Sequence, residues 1–452
     1  MTTPIFDFVQ KYIKDNTLRL HMPGHKGKGA LGIEESDITE IKGADSLFEA
    51  EGIIAESEEN ASKLFGTGAT FYSAEGSSLC IRAMLYLVTI LAKEQNRKPL
   101  IFAGRNVHKT FISAAALLDL EVSWLYSEEN SYLSCVISGE QLEKELEKAE
   151  EKPVAVYVTS PDYLGMCCDI KGLSSVCKKY GVLLIVDNAH GAYTRFLGES
   201  SHPMDLGADL CCDSAHKTLP VLTGGAYLHM SKNAPRVFAE NARRALSLFG
   251  STSPSYLILQ SLDLANRYIE DGYVEKLESF VAKLNDTREC LQKFGYTLCG
   301  SEPLKLTIDT KNYGYYGTEF AEMLRKNNIE CEFSDPDFVV FMLVPGQEKE
   351  LEILTESLLS IAKKEEISER PPIITEKQRI LSVREAAFLP SEEVNAYEAV
   401  GKILASVTVG CPPAVPILVC GEKIDKNAID AFLYYGIDTC VVVKNIENIE
   451  MK

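Results

Sequence analysis

The sequence lacks most of the short patterns that mark common enzyme classes. No strand-to-helix junction carries a Gly-x-Gly-x-x-Gly fingerprint, and no Gly-x-x-x-x-Gly-Lys-Ser/Thr segment occurs, so neither a dinucleotide site nor a P-loop is indicated. None of the 13 cysteines forms a Cys-x-x-Cys pair, which leaves a zinc or dithiol site without support. We therefore expect no metal centre, and buried free thiols as in a reducing cytoplasm.

Positive charge and long apolar runs are also scarce. The chain has 46 Lys and Arg against 65 Asp and Glu, and its net charge of −19 argues against nucleic acid as the main partner. No apolar run approaches the roughly 20 residues of a membrane span. The opening "MTTPIFDFVQKYIKDN" has helical spacing rather than the pattern of a signal peptide. The sequence thus predicts a cytoplasmic protein with neither a nucleic-acid nor a membrane partner.

Apolar segments alternate with helical segments over most of the chain. With 452 residues, of which 46% are hydrophobic, it can bury the cores of two or three domains. The valine-rich runs "PVAVYVTS" and "GVLLIVDNA", separated by the helix-like "KGLSSVCKKY", are typical of parallel strands covered on both faces. We predict an α/β fold divided into four regions. These are an N-terminal helix and arm (1–50), a large domain (51–295), a small α/β domain (296–370) and a C-terminal domain (371–452).

Lys217 stands between two predicted buried strands, "ADLCC" and "AYLHM", where a lysine needs a partner or a function. Asp187 ends the strand "VLLIV", and His190 follows three positions later. Alone, such an aspartate is more typical of a turn or a helix cap. Because ligands bind beyond the carboxyl ends of parallel strands, the three residues together indicate a site.

An anion site is indicated at the start of a long helix. Gly76, Ser77 and Ser78 precede "LCIRAM", and free N–H groups with hydroxyls there bind a phosphate as readily as they cap a helix. Other polar side chains follow strands of the same predicted edge, namely His108, Thr159 and Ser160. Together these groups fit pyridoxal phosphate, which needs an imine-forming lysine and an acid at its pyridine nitrogen.

Longer motifs extend this pattern. The chain resembles the Orn/Lys/Arg decarboxylase family, pyridoxal-phosphate enzymes of the aspartate-aminotransferase fold (fold type I). The likeness lies in "LHMPGHKGKG", "FYSAEGSS", "RNVHKT", "TSPDYLG", "VDNAHGAY" and "SAHKTLP", and resumes at "LSVREAAFLP" and "AVGKILASVTVGCPPAVPILVCGE". It implies that the cofactor-binding large domain contains a mainly parallel sheet of the seven-stranded type. The length is similar to that of the short members, which have no N-terminal wing domain.

The resemblance also implies roles for individual residues. Lys217 would form the Schiff base, Asp187 would pair with the pyridine nitrogen, and His108 would stack on the ring. The other cofactor contacts would come from Gly76, Ser77, Ser78, Thr159, Ser160, His190, Ser214 and His216. Substrate binding is assigned to Glu332 and Asp335 of "ECEFSDPD", to Arg384, and to His25 of the "HMPGHKG" arm, with Glu422 as a further acid. A solvated acidic loop and a surface ion pair of Arg384 remain open alternatives.

The expected activity is decarboxylation of arginine, lysine or ornithine to its amine, in polyamine metabolism. The resemblance also implies a homodimer, whose N-terminal arm would complete the partner's site. Two other functions stay open: another fold type I reaction such as amino transfer, and a cofactor-binding regulator without turnover. Departures at Cys411 and Ala414, in "DNAH" and in "VLTGG" put the choice of substrate in doubt.

Overall fold

The computed structural model describes residues 1–128, 131–411 and 415–444, without the side chain of Cys411. The family departures at Cys411 and Ala414 therefore lie outside the described side chains. The strands are β1 (Ala69–Ser73), β2 (Leu100–Gly104), β3 (Glu121–Leu125), β4 (Ala155–Thr159), β5 (Leu183–Asp187), β6 (Leu210–Asp213), β7 (Ala226–Met230), β8 (Thr297–Cys299), β9 (Lys305–Asp309), β10 (Phe333–Ser334), β11 (Phe338–Met342), β12 (Ser391–Asn395), β13 (Thr408–Cys411), β14 (Val415–Val419) and β15 (Thr439–Val443).

Helices connect most of these strands. They are α1 (Pro4–Lys14), α2 (Ile53–Phe65), α3 (Gly76–Glu94), α4 (Lys109–Leu118), α5 (Gly139–Lys148), α6 (Ile170–Tyr180), α7 (Pro203–Leu206), α8 (Ala215–Thr218), α9 (Arg236–Ser247), α10 (Tyr256–Glu270), α11 (Tyr273–Phe294), α12 (Gly317–Arg325), α13 (Glu348–Ser360), α14 (Val383–Phe388) and α15 (Lys426–Tyr434). Helix α5 begins with a capping box formed by Ser138 and Gln141.

The large sheet has seven strands in the order β1-β7-β6-β5-β4-β2-β3. The pairs β2–β3, β2–β4 and β5–β6 are parallel. Strand β7 runs antiparallel to both β1 and β6. A mainly parallel, seven-stranded α/β sheet is therefore confirmed, and its buried valine-rich strands explain the continuous apolar runs in the sequence.

The chain forms two compact units, each made of two segments. The first comprises Met1–Arg97 and Ile170–Glu278, and the second comprises Lys98–Asp169 and Ser279–Lys452. The domain limits read from the sequence stay a prediction. The second unit also holds an antiparallel sheet in the order β10-β11-β9-β8 and two antiparallel pairs of strands, β12–β15 and β13–β14. Its C-terminal core gathers around α15, where Ile429 and Phe432 are buried.

Helix α3 is long and apolar enough to satisfy a membrane-span test, with a mean hydropathy of 1.3. The sequence prediction missed it because Arg82 interrupts the apolar run. The helix packs against β7 and α9 of the first unit, and 56% of the tested window is buried there. Its apolar composition therefore has an explanation in core packing, and one such helix is weak evidence for a span.

Candidate active site

Lys217 lies in α8, the single helical turn that directly follows β6. Its backbone N–H donates to the carbonyl oxygen of Ser214 at 3.0 Å, which closes the turn. Its side chain reaches His190, with 2.9 Å between Lys217 Nζ and His190 Nε2. His190 is only 3% exposed, so the amine meets an imidazole inside the first unit. Two residues predicted from separate motifs are therefore in direct contact, and a proton can pass between their nitrogens.

Asp187 ends β5 and is 2% exposed. Its Oδ1 accepts hydrogen bonds from the backbone N–H of Ala189 at 3.2 Å and from the Cys212 thiol at 3.6 Å. Cys212 is the parallel partner of Asp187 on β6, so the sheet register fixes this contact. A buried carboxylate at a strand end is the residue type that a protonated pyridine nitrogen requires.

The first turn of α3 has the features of a phosphate site. Gly76 has a φ of 72°, a conformation that favours glycine, and its N–H donates to Gly224 O at 2.6 Å. Glu75, the N-cap residue, makes no side-chain capping bond. The hydroxyls of Ser77 and Ser214 lie 2.8 Å apart, although they come from distant parts of the chain. An uncapped helix N-terminus with two hydroxyls suits a phosphate group.

Two further predicted contacts lie in the same unit. Ser78 follows Ser77 in the first turn of α3. His216 precedes Lys217 in α8, and its Nδ1–H donates to the carbonyl oxygen of Gly225 at 2.9 Å. This bond holds the imidazole against the start of β7.

A buried polar network behind α8 was not predicted from the sequence. The carboxylate of Asp213, at the end of β6, is the shared acceptor. Its Oδ2 lies 3.0 Å from His202 Nε2 and 3.1 Å from His229 Nε2. Its Oδ1 accepts from Asn188 Nδ2 at 2.7 Å and from the Cys211 thiol at 3.5 Å. Because Asn188 follows Asp187 and Asp213 precedes Ser214, the network ties together the two turns that carry predicted site residues.

The ligand-type atoms of His202, Cys211 and Asp213 lie within 4.8 Å of one another, a spacing that would suit a metal ion. However, the backbone N–H of Met204 donates to His202 Nδ1 at 3.3 Å, so the ring proton of a neutral imidazole sits on Nε2 and faces the carboxylate. Burial alone would raise the pKa of Asp213, but His202 and His229 outweigh it and hold that pKa well below its usual range. The cluster is therefore a hydrogen-bonded network around an ionised carboxylate.

His108, Thr159 and Ser160 belong to the second unit. His108 is the N-cap of α4: its Nδ1 accepts from the N–H of Thr110 at 3.2 Å, which fixes the ring. Thr159 ends β4. Ser160 is 4% exposed, and its Oγ accepts from the N–H of Cys168 at 3.0 Å. The assignment of these residues to the cofactor stays a prediction.

The acids proposed for the substrate have different environments. Glu332 is exposed and lines a cavity of about 410 Å³. Asp335 is 2% exposed, and its Oδ1 accepts from the N–H groups of Asp337 and Phe338 at 2.8 and 2.7 Å. Burial, helped by the charge of Asp337, raises the pKa of Asp335 to about 7. Glu422 is 3% exposed and forms an ion pair with Arg105 at 2.7 Å.

The remaining candidates make protein contacts of their own. Arg384 Nη1 donates to the carbonyl oxygens of Ala116 and Leu117, both at 3.0 Å, at the carboxyl end of α4. His25 Nε2 lies 3.2 Å from Asp37 Oδ2. Whether Arg384 and His25 also bind a substrate stays a prediction.

Comparison with known proteins decides the family. A sequence model of the major domain of Orn/Lys/Arg decarboxylases matches residues 3–300. The chain belongs to the Orn/Lys/Arg decarboxylase family. This confirms the resemblance read from the motifs, and it identifies the chain as an enzyme of the decarboxylase class. The family and its fold are those of pyridoxal-phosphate enzymes, and the residues of the first unit fit such a group at its amine, ring-nitrogen and phosphate positions.

Several relatives match along nearly the whole chain. An arginine decarboxylase of Bacillus subtilis is 28% identical, over 99% of this chain and 96% of its own length. An arginine decarboxylase of Halalkalibacterium halodurans is 30% identical, over 94% and 91%. Among solved structures, the lysine decarboxylase of Francisella novicida has a TM-score of 0.78 at 18% identity, over 97% of this chain and 79% of its own. That likeness shows the fold.

Proposed function

We propose that this chain is a pyridoxal-phosphate-dependent decarboxylase of a basic amino acid, with L-arginine as the first candidate substrate. The products would be CO₂ and agmatine. The observation that carries the proposal is the 2.9 Å contact between Lys217 Nζ and His190 Nε2, three residues after the buried carboxylate of Asp187. An amine, a proton-accepting ring and a carboxylate, here at the ends of the neighbouring strands β5 and β6, are the groups that this chemistry requires.

Each residue has a defined task in this proposal. Lys217 would hold the cofactor through its amine, and Ser77 and Ser214 would hold the phosphate at the start of α3. The cofactor, when bound, supplies a protonated pyridine ring that takes up the electron pair left by the departing CO₂. Asp187 would keep that ring nitrogen protonated, because a buried carboxylate is stabilised by a cation beside it.

A proton must replace the lost carboxylate on the α-carbon. Lys217 and His190 share a hydrogen bond, so either nitrogen can hold the proton that is delivered. The overall reaction then balances: the amino acid and one proton give the amine and CO₂.

Support for arginine comes from the relatives that match over most of both lengths. Four of these are named arginine decarboxylases. Two relatives match only part of their own length: the biodegradative arginine decarboxylase of Escherichia coli, over 58% of this chain and 35% of its own length, and a lysine decarboxylase of Pseudomonas aeruginosa, over 59% and 40%.

We also propose a cytoplasmic homodimer whose amine product enters polyamine metabolism. The cysteines whose side chains are described are all free thiols, which suits a reducing compartment. The dimer is tested separately, through the N-terminal arm.

The deciding experiment is a substrate panel. The cofactor-loaded protein is incubated with L-arginine, L-lysine and L-ornithine, and CO₂, amine and 2-oxo acid are each quantified. We expect equal amounts of CO₂ and agmatine, with the highest kcat/KM for arginine. A higher kcat/KM for lysine or ornithine would correct the substrate only. Formation of 2-oxo acid would instead indicate amino transfer, and cofactor binding without turnover would favour a regulator.

A further inference from the structure

Strand β6 contains two adjacent cysteines, Cys211 and Cys212, that no step of the proposed reaction uses. Both are fully buried, with exposures of 0%. Neighbouring side chains of a strand point to opposite faces of the sheet, so the two thiols meet different acceptors. Cys211 donates to Asp213 Oδ1 at 3.5 Å, within the buried network, and Cys212 donates to Asp187 Oδ1 at 3.6 Å. Of these two thiols, Cys212 therefore contacts the carboxylate that is assigned to the cofactor.

The sheet sets the position of the Cys212 thiol. Cys212 is the partner of Asp187 across the parallel strands β5 and β6, so the two side chains lie side by side on one face. The carbonyl oxygen of Cys212 also accepts from the backbone N–H of Asn188 at 3.0 Å, which extends the pairing beyond the end of β5. The contact between the thiol and the carboxylate is therefore fixed by the backbones of both strands.

The Cys212 thiol acts here as a hydrogen-bond donor. Burial, reinforced by the charge of Asp187, raises the pKa of Cys212 well above its usual range, so the sulfur keeps its proton. A thiol is a weak donor, but its hydrogen bond is stronger when the acceptor is a carboxylate. The same oxygen, Asp187 Oδ1, accepts from the backbone N–H of Ala189 at 3.2 Å. Rotation of the Asp187 carboxylate would therefore break two hydrogen bonds.

We propose that Cys212 is a positioning residue for the cofactor, because its thiol holds the carboxylate of Asp187 in the orientation that binds the pyridine nitrogen. This inference rests on the proposed function, since Cys212 acts through the role assigned to Asp187. A carboxylate that is already held in place loses less conformational freedom when the cofactor binds. Removal of the thiol should therefore weaken the binding of the cofactor.

Serine and alanine variants separate the donor from the volume of the side chain. Cys212→Ser and Cys212→Ala have side chains of similar size, but only serine keeps a hydrogen-bond donor. The cofactor is removed from each protein, and pyridoxal phosphate is titrated back while the visible absorbance is followed. We expect Cys212→Ala to lower the affinity about threefold or more, the usual effect of losing one hydrogen bond, and Cys212→Ser to recover most of that loss.

The same two changes at Cys177 are the control. Cys177 is a buried thiol in α6, with an exposure of 1%, and α6 carries none of the residues assigned to the cofactor. Serine and alanine should therefore give equal affinities for the cofactor at this position. Equal affinities of Cys212→Ser and Cys212→Ala would show that the Cys212 side chain only fills space, and would overturn the proposal. A wild type that takes up no pyridoxal phosphate would refute the proposed function, and this inference with it.

Infrared spectra of the purified protein test the hydrogen bond itself, without turnover. The S–H stretch of a thiol moves to lower frequency when the thiol donates a hydrogen bond. Asp187→Asn should shift the stretch of one thiol to higher frequency, because a neutral amide is a weaker acceptor than a carboxylate. This shift should be absent when both proteins also carry Cys212→Ser. Should the Cys212 variants fail to fold, the comparison of the wild type with Asp187→Asn decides, and the absence of any shift would refute the contact.

Discussion

Lys217 Nζ and His190 Nε2 lie 2.9 Å apart, although 27 positions separate the two residues. Their contact follows from the parallel pairing of β5 with β6, because each residue follows one of these neighbouring strands. The sheet therefore places an amine and an imidazole at the same edge, beyond the carboxyl ends of its parallel strands, where α/β proteins of this kind bind their ligands.

Replacement of Lys217 tests the central assignment. Lys217→Ala should abolish turnover and the covalent attachment of the cofactor, because the amine that would form the bond is gone. Exposed Lys232→Ala is the control and should retain both. Borohydride reduction followed by peptide mapping identifies the modified residue directly, and cofactor found on another lysine would contradict the assignment.

Asp187→Asn tests the role of the buried carboxylate. The amide is nearly isosteric, so the fold and cofactor content should be preserved. Turnover should fall by about 10²-fold or more, because an amide cannot keep the pyridine nitrogen protonated. The measurements are kcat per bound cofactor and the visible absorbance of the bound cofactor. Near-normal kcat at full cofactor content would show that Asp187 has a different role.

Asp213→Asn tests the buried network. In one orientation the new amide directs its NH₂ group toward the imidazole N–H of His202, which cannot shift its proton because Met204 donates to Nδ1. In the other orientation the NH₂ group meets the amide donor of Asn188. We expect a loss of about 2–4 kcal/mol in the free energy of unfolding by urea. Asp205→Asn, which weakens a more exposed ion pair with Arg195, should cost less than about 1 kcal/mol. Equal losses would mean that the network contributes little.

The same network has a predictable pH dependence. The pKa of Asp213 is lower in the folded protein than in the unfolded chain. Its contribution to stability is therefore complete above the unfolded pKa of about 4 and declines as the pH falls below that value. The difference in the free energy of unfolding between the wild type and Asp213→Asn should therefore become smaller as the pH falls below about 4.

Asp335 should show the opposite dependence on pH. Its folded pKa is raised to about 7, so the wild type should lose stability as the pH rises from about 4 to about 7. Asp335→Asn keeps the acceptor for two backbone N–H groups and removes the titration. Its free energy of unfolding should equal that of the wild type near pH 4 and exceed it by about 2–4 kcal/mol at pH 8. The control Asp438→Asn, at an exposed position, should show no such trend. An Asp335→Asn protein that is less stable than the wild type at pH 8 would contradict the prediction.

A homodimer with shared sites can be tested by complementation. Lys217→Ala and a variant lacking residues 1–28 should each be inactive. If the arm acts across the interface, a mixed dimer has one site with an intact lysine and an intact partner arm, so mixing should restore part of the activity. Light scattering on the active wild type should give about twice the mass of the 50.0 kDa chain. A monomer mass in an active sample would refute the dimer.

Local sequence was sufficient to predict the buried strands of the large sheet and to propose residues for the candidate site. Valine-rich runs predicted the buried strands, because a strand covered on both faces must be apolar throughout. Lys217 and Asp187 could be found because each directly follows such a run, and strand ends of a parallel sheet meet at one edge. The antiparallel direction of β7 was not readable, since a buried strand has the same composition in either direction.

The sequence by itself determined which residue types follow the buried strands, and from these local properties we predict the residues that hold the cofactor. Only the tertiary structure decided what surrounds them. Asp213 meets His229 because β6 pairs with β7 in one particular register, and a shift of one residue would turn these side chains to opposite faces. Likewise Arg105 meets Glu422 across 317 positions, so only the packed fold creates that ion pair and the unsatisfied donors beside it.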